Sequence, residues 1–135
     1  MFVLNAGPTP NIPGFTLNKM GHLNPIASST ALLPTSGSPL YTQVGFDNSG
    51  KWLVVTDLGD NMILTYPVNS SGMPSALRSS PSSGPAPFGF VFDGRNHLLV
   101  VQAANSAVSL IVFYLAVCCL RSRKHLIPQV QLLVG

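Results

Sequence analysis

The chain has 135 residues, enough for one ordinary domain, with 12 Gly and 12 Pro but only 8% charged residues. All four acids are Asp, and the absence of Glu together with abundant Pro and Gly argues against a helical protein and for an all-β one. The net charge of +3 resides in Arg121, Arg123 and Lys124, while residues 1–109 are neutral, so the main body carries no electrostatic footprint for nucleic acid.

In chain order, residues 2–5 read as a strand, and 12–17 as another that Pro13 and Gly14 weaken. Residues 18–21 form a turn with Asn first and Gly last, a pattern that returns at 69–72; Asn bonds its own backbone there and Gly takes positive φ without steric cost. A weak outer strand falls within 26–33. After a Pro/Gly/Ser connection at 34–39, residues 40–46 and 52–56 flank a polar turn, the pattern of a β-hairpin. A loop at 57–60 leads to a third strand at 62–68 and a short fourth at 77–80. The connection recurs at 79–87, and strands at 88–92 and 98–102 restart the unit.

The repeat can be phased by identity. Phe46, Asp47, Leu53, Val54 and Val55 return at Phe92, Asp93, Leu99, Val100 and Val101, an offset of 46 residues. An earlier copy lies at an offset of 51, with Phe2-Val3-Leu4 on Leu53-Val54-Val55, Ile12 on Ile63, Phe15 on Tyr66 and Gly21 on Gly72. That period matches the ~40 to 50 residues of a four-stranded propeller blade. The strands at 53–55 and 98–101 are continuously apolar, as expected when packed blades cover both faces. The expectation is an all-β partial β-propeller of about two to two and a half blades over residues 1–109, with residues 110–135 outside the repeat.

That tail is apolar to residue 120 and then basic. It admits three readings: a membrane anchor spanning 103–120, which is short for the ~20 residues of a normal span; a buried or aggregating helix; or sequence foreign to the fold, such as intron read-through or a shifted frame. Cys118 and Cys119 are adjacent, which builds neither a disulfide framework nor a zinc site. The first residues lack the basic region and long apolar core of a secretory signal, so a cytoplasmic location is expected.

With the opening FVLNAG, the stretches GFDNSGKWLVVTD and NMILTYPVNSSG, and PAPFGFVFDGRNHLLVV followed by NSAVS, residues 2–109 resemble the lactonase family of seven-bladed β-propellers. That family includes 6-phosphogluconolactonases and carboxymuconate-cyclase-like proteins. The resemblance implies hydrolysis or formation of a lactone ring, with a sugar-lactone-type molecule as partner of the full-length parent. Many members carry an Arg-His pair just before the first-strand phenylalanine. Here those positions are Thr42-Gln43 and Phe88-Gly89, so this chain is expected to be an inactive, truncated member. A noncatalytic binding or scaffold propeller fragment is the alternative, with a small tail-anchored membrane protein a third.

The remaining residues sort by recurrence. Asp47 and Asp93 are expected to shape turns through side-chain to backbone bonds, and Trp52, matched to Leu98, to pack. His22, His97 and His125 have no carboxylate or cysteine at catalytic spacing and read as solvated. Asp57, Asp60 and Asn61 lack calcium-loop spacing and read as a solvated loop; no metal or cofactor is expected. Gln43 and Tyr41, near the mouth of a propeller channel, are the binding candidates. Self-association is expected through apolar blade faces left open at the ends of the array.

Overall fold

The computed structural model describes residues 1–104 and 107–112, and these form an all-β chain without a helix. They make one complete blade between two incomplete ones. The first blade has β1 (Asn11–Ile12), β2 (Phe15–Leu17), β3 (Leu23–Pro25) and β4 (Ala31–Leu32), in two small sheets β1-β4 and β2-β3. Residues 2–5 join it through bridges Phe2↔Gly14 and Asn5↔Asn11. Pro13 and Gly14 separate β1 from β2, since Pro lacks the ladder donor.

The second blade is a four-stranded antiparallel meander of β5 (Tyr41–Phe46), β6 (Trp52–Asp57), β7 (Met62–Pro67) and β8 (Arg78–Pro81). The third has β9 (Pro87–Phe92), β10 (His97–Gln102) and β11 (Ala107–Val112). β11 pairs with β10 through Val112, so residues 110–112 continue the sheet, where a helix was one expectation for the tail. The rest of the tail, with Cys118, Cys119, His125 and the basic residues, lies outside the described residues.

Blades pack face to face along two seams. In the first, Ile12 and Leu33, with Phe2 and Leu4, meet Tyr41, Leu53, Val55, Leu64 and Tyr66. In the second, Val54 and Ile63 meet Phe90, Leu98 and Val100. Alternate residues of β6 thus point to opposite seams, which is why Leu53, Val54 and Val55 are all buried. Fully burying each such side chain is worth about 1.5–3 kcal/mol.

The pairing corrects the phase of the repeat after each turn. Phe46 pairs with Leu53, but Phe92 pairs with Leu98, not with Leu99. Both turns open alike: Asp47 accepts from the Gly50 N–H, Asp93 from the Asn96 N–H, and Gly50 and Asn96 both have positive φ. The main-chain bond closing the turn is then donated by the Asp47 N–H to the Trp52 carbonyl in the second blade and by the Asp93 N–H to the His97 carbonyl in the third, one residue earlier. The third turn is one residue shorter, so the offset is 46 before the turn and 45 after it. Leu98 and Val100 therefore stand where Leu53 and Val55 stand, and His97, not Leu98, takes the place of Trp52. Similarly, Phe2↔Gly14 corresponds to Val54↔Thr65, which moves residues 2–4 one place along from the expected match with Leu53-Val54-Val55. A one-residue slip exchanges the faces of every side chain in a strand.

Candidate functional site

Two places concentrate polar chemistry: the seam between the second and third blades, and a cleft beside the first seam. The seam is built by the inner strands. β5 carries a bulge between Tyr41 and Gln43, and β9 has the same irregularity between Pro87 and Phe90, opposite Gln102 and Val100. Without a bulge, residues 41 and 43 would share a face; the extra residue sends them to opposite faces. Tyr41 joins the first seam and Gln43 the second, so the structure separates the two binding candidates.

Gln43 acts as a brace. Its Nε2 donates to the Phe90 carbonyl at 3.0 Å, and its Oε1 accepts from the Phe90 N–H at 2.8 Å. The side-chain amide thus pairs with the next blade's main chain as a neighbouring strand would. Beside it, the Thr56 and Thr42 hydroxyls donate to the Phe88 carbonyl at 2.7 and 2.9 Å. Gly45 leaves room for the Phe90 ring, since a Cβ there would come within 3.1 Å of Phe90 Cε2.

The two hairpin turns are also latched. Asn48 Nδ2 donates to the Asp93 carbonyl at 2.6 Å, Asn96 Oδ1 accepts from the Asn48 N–H at 2.8 Å, and Asn96 Nδ2 donates to Asp47 Oδ2 at 2.9 Å. Within its turn, Asp47 Oδ1 accepts from the Lys51 and Trp52 N–H groups, and Asp93 Oδ1 from those of Arg95 and His97. These are the side-chain to backbone bonds expected of both aspartates. Burial pushes the Asp47 carboxyl up, but bonds from Ser49, Asn96 and Trp52 outweigh it and hold the group below its ordinary range. Asp93 is also held low, chiefly by the His97 N–H.

His97 departs from expectation. Its Nδ1 lies 2.8 Å from Asp93 Oδ2, so it has a carboxylate partner four residues back across the turn. That contact orients the imidazole by one ring nitrogen. Trp52, at the corresponding place in the second blade, instead lies under the Arg78 guanidinium, 5.3 Å from the ring centroid.

The cleft is an open space of about 220 Å³ lined by Gly7, Pro8, Pro10, Thr35, Pro39 and Tyr41 among others. Tyr41 is buried, and its hydroxyl donates to the Pro34 carbonyl at 2.6 Å. Burial, with the Asp57 charge nearby, pushes its pKa to about 12, so it stays protonated at neutral pH and serves as a fixed donor rather than a base. The loop at residues 57–61 that read as solvated is instead a fastener. Asp57 Oδ1 accepts from the Leu40 N–H, Asp60 Oδ1 from the Ser38 N–H, and Asn61 Oδ1 from the Ala86 N–H. All three side chains tie the loop to inter-blade connections. Among the described residues no group of three His, Cys, Asp or Glu is placed to hold a metal, and no helix is long and apolar enough to cross a membrane.

No protein-family model and no curated protein matches the sequence. Among solved structures, the chain is similar to the crystal structure of a protein from Lactobacillus plantarum solved by a structural genomics consortium. The TM-score is 0.69 at 17% identity, over 84% of this chain and 35% of that one. The chain thus spans about a third of that protein's length, and the likeness is one of fold: an all-β, propeller-type stack of blades.

Proposed function

We propose that this chain is the blade-stacking scaffold of a lactonase-like propeller and that it does not itself turn over a lactone. The observation that supports this most directly is the use of the inner-strand positions. Hydrolysis of a ring ester needs a base to activate water and donors to hold the developing oxyanion. Thr42 and Gln43 occupy the places just before Phe46, and both spend their polar atoms on the main chain of β9. Phe88 and Gly89, one blade later, bring no polar side-chain group. The test is hydrolysis of sugar lactones by the purified 135-residue chain. The expected rate is the spontaneous one; turnover above it refutes the scaffold reading.

The second reading, a noncatalytic binding fragment, draws on the open cleft of about 220 Å³ beside Tyr41, whose proline-rich wall offers polar as well as apolar surface. A saturable fluorescence or calorimetric response to a sugar lactone, lost in Tyr41→Ala but not in an exposed control such as Met20→Ala, would favour it.

A further inference from the structure

The two seams are successive examples of one interface, and the same positions in the outermost blades define two further halves of it. In the second blade, Val54, Thr56 and Ile63 face forward, toward the third, and each is 0% exposed. Their counterparts in the third blade are Leu99, Val101 and Val108, because Leu99↔Leu110 and Val101↔Val108 repeat the pairing Val54↔Thr65 and Thr56↔Ile63. Leu98 and Val100 point back into the second seam, so Leu99 and Val101 point forward. Val101 is 45% exposed, and Val91, opposite Leu99, is 62% exposed.

The complementary half is on the first blade. Phe2 and Leu4 pack into the first seam, so Val3 between them points backward, as Val55 does one blade later. Phe2 and Gly14 are paired and share the seam side, which turns Phe15 and Leu17 backward; Leu23, paired with Leu17, joins them. Val3, Leu17 and Leu23 are all exposed. The chain therefore presents one forward and one backward apolar face at opposite ends of its stack. Each has the side-chain character of a half that is already paired inside the same molecule.

We infer that two copies of this chain associate head to tail, the forward face of one third blade covering the backward face of the other first blade. This rests on the stacking alone and not on any lactone chemistry. It continues the existing seam series and follows the first seam's apolar pattern. Thr42, Gln43 and Asn48, which supply the polar braces of the second seam, have Phe88, Gly89 and Gly94 as counterparts, so the forward face of the third blade is equipped for an apolar contact. The contact is heterologous, because different patches meet.

That asymmetry gives the test. Analytical ultracentrifugation of the full chain across the micromolar range should show assemblies larger than a monomer. Val101→Asp, which spoils only the forward face, and Val3→Asp, which spoils only the backward face, should each be monomeric. Mixed in equal amounts they should recover a dimer, since the mixture contains one intact half of each kind. Leu17→Asp is a second backward-face variant, and matching circular dichroism spectra confirm that each variant folds. A monomeric wild-type chain overturns the inference. Association that survives Val3→Asp and Leu17→Asp but not Val101→Asp also overturns it, because two forward faces would then be meeting.

Discussion

Replacing Gln43 by Ala isolates the brace between the second and third blades. The substitution removes both hydrogen bonds to Phe90 and leaves a main-chain N–H and C=O at a half-buried seam without their protein partners. Each such bond contributes a net ~0.5–1.5 kcal/mol, and partial access to water keeps the penalty for the stranded groups near the low end of its range, so the expected loss is about 2 kcal/mol. Urea denaturation at neutral pH measures it as a lower midpoint with an unchanged slope. Gln43→Glu sharpens the test: its carboxylate can still accept from the Phe90 N–H but faces the Phe90 carbonyl oxygen with no proton to donate. It should be at least as destabilising as Ala despite its near-identical size. A loss below about 0.5 kcal/mol in both variants, the range of ordinary surface substitutions, would refute the claim that the amide substitutes for a strand.

The corrected repeat phase predicts opposite outcomes at neighbouring residues. Leu98→Ala, in the second seam, should cost ~2–5 kcal/mol, whereas Val101→Ala, on the open face, should stay within about 0.5 kcal/mol in the monomer. The reverse order in thermal or urea melts would restore the ungapped alignment. At Gly59 a Cβ would overlap the Ser38 carbonyl oxygen, so Gly59→Ala should force apart the loop and the connection between blades, with a loss above about 2 kcal/mol by the same melts. Asp47 sets an acid limb. Its folded pKa lies below the unfolded value near ~3.9, so its contribution is fully present above that value and is lost as pH falls through the folded pKa. Asp47→Asn should therefore flatten the decline of stability with acidification, measured by denaturation at successive pH values; an unchanged slope would remove Asp47 from the account.

The hairpins, the Asn-to-Gly turns and the aspartate-closed turns were legible because each rests on local chemistry repeated in the sequence. Asn18 and Asn69 both accept N–H bonds from residues two and four places on, and Gly21 and Gly72 both take positive φ. The phase of β10 was not legible by identity. Residues 98–101 are four consecutive aliphatics, so either alignment matches leucine and valine, and only the turn length decides which pair faces the seam. Gln43 was found as a candidate but not as a brace. Its counterpart is Gly89, so nothing recurs to mark the role, and its partner is main chain, which leaves no signature in side chains. The bulge that parts Gln43 from Tyr41 is likewise a backbone event with no residue pattern of its own. His97 and Asp93 were both visible, but matching Leu98 to Trp52 concealed that His97 closes the shortened turn beside the aspartate.

Amide hydrogen exchange across the full chain tests the stack most directly. Among the described strands, β6 and β7 alone are paired on both edges and covered on both faces, so their amides should exchange slowest, with residues 53–56 and 63–66 near the global stability limit and the first blade's short β1 to β4 opening sooner. Equal protection across residues 1–104, or strongest protection in residues 1–33, would contradict a fold organised around the second blade.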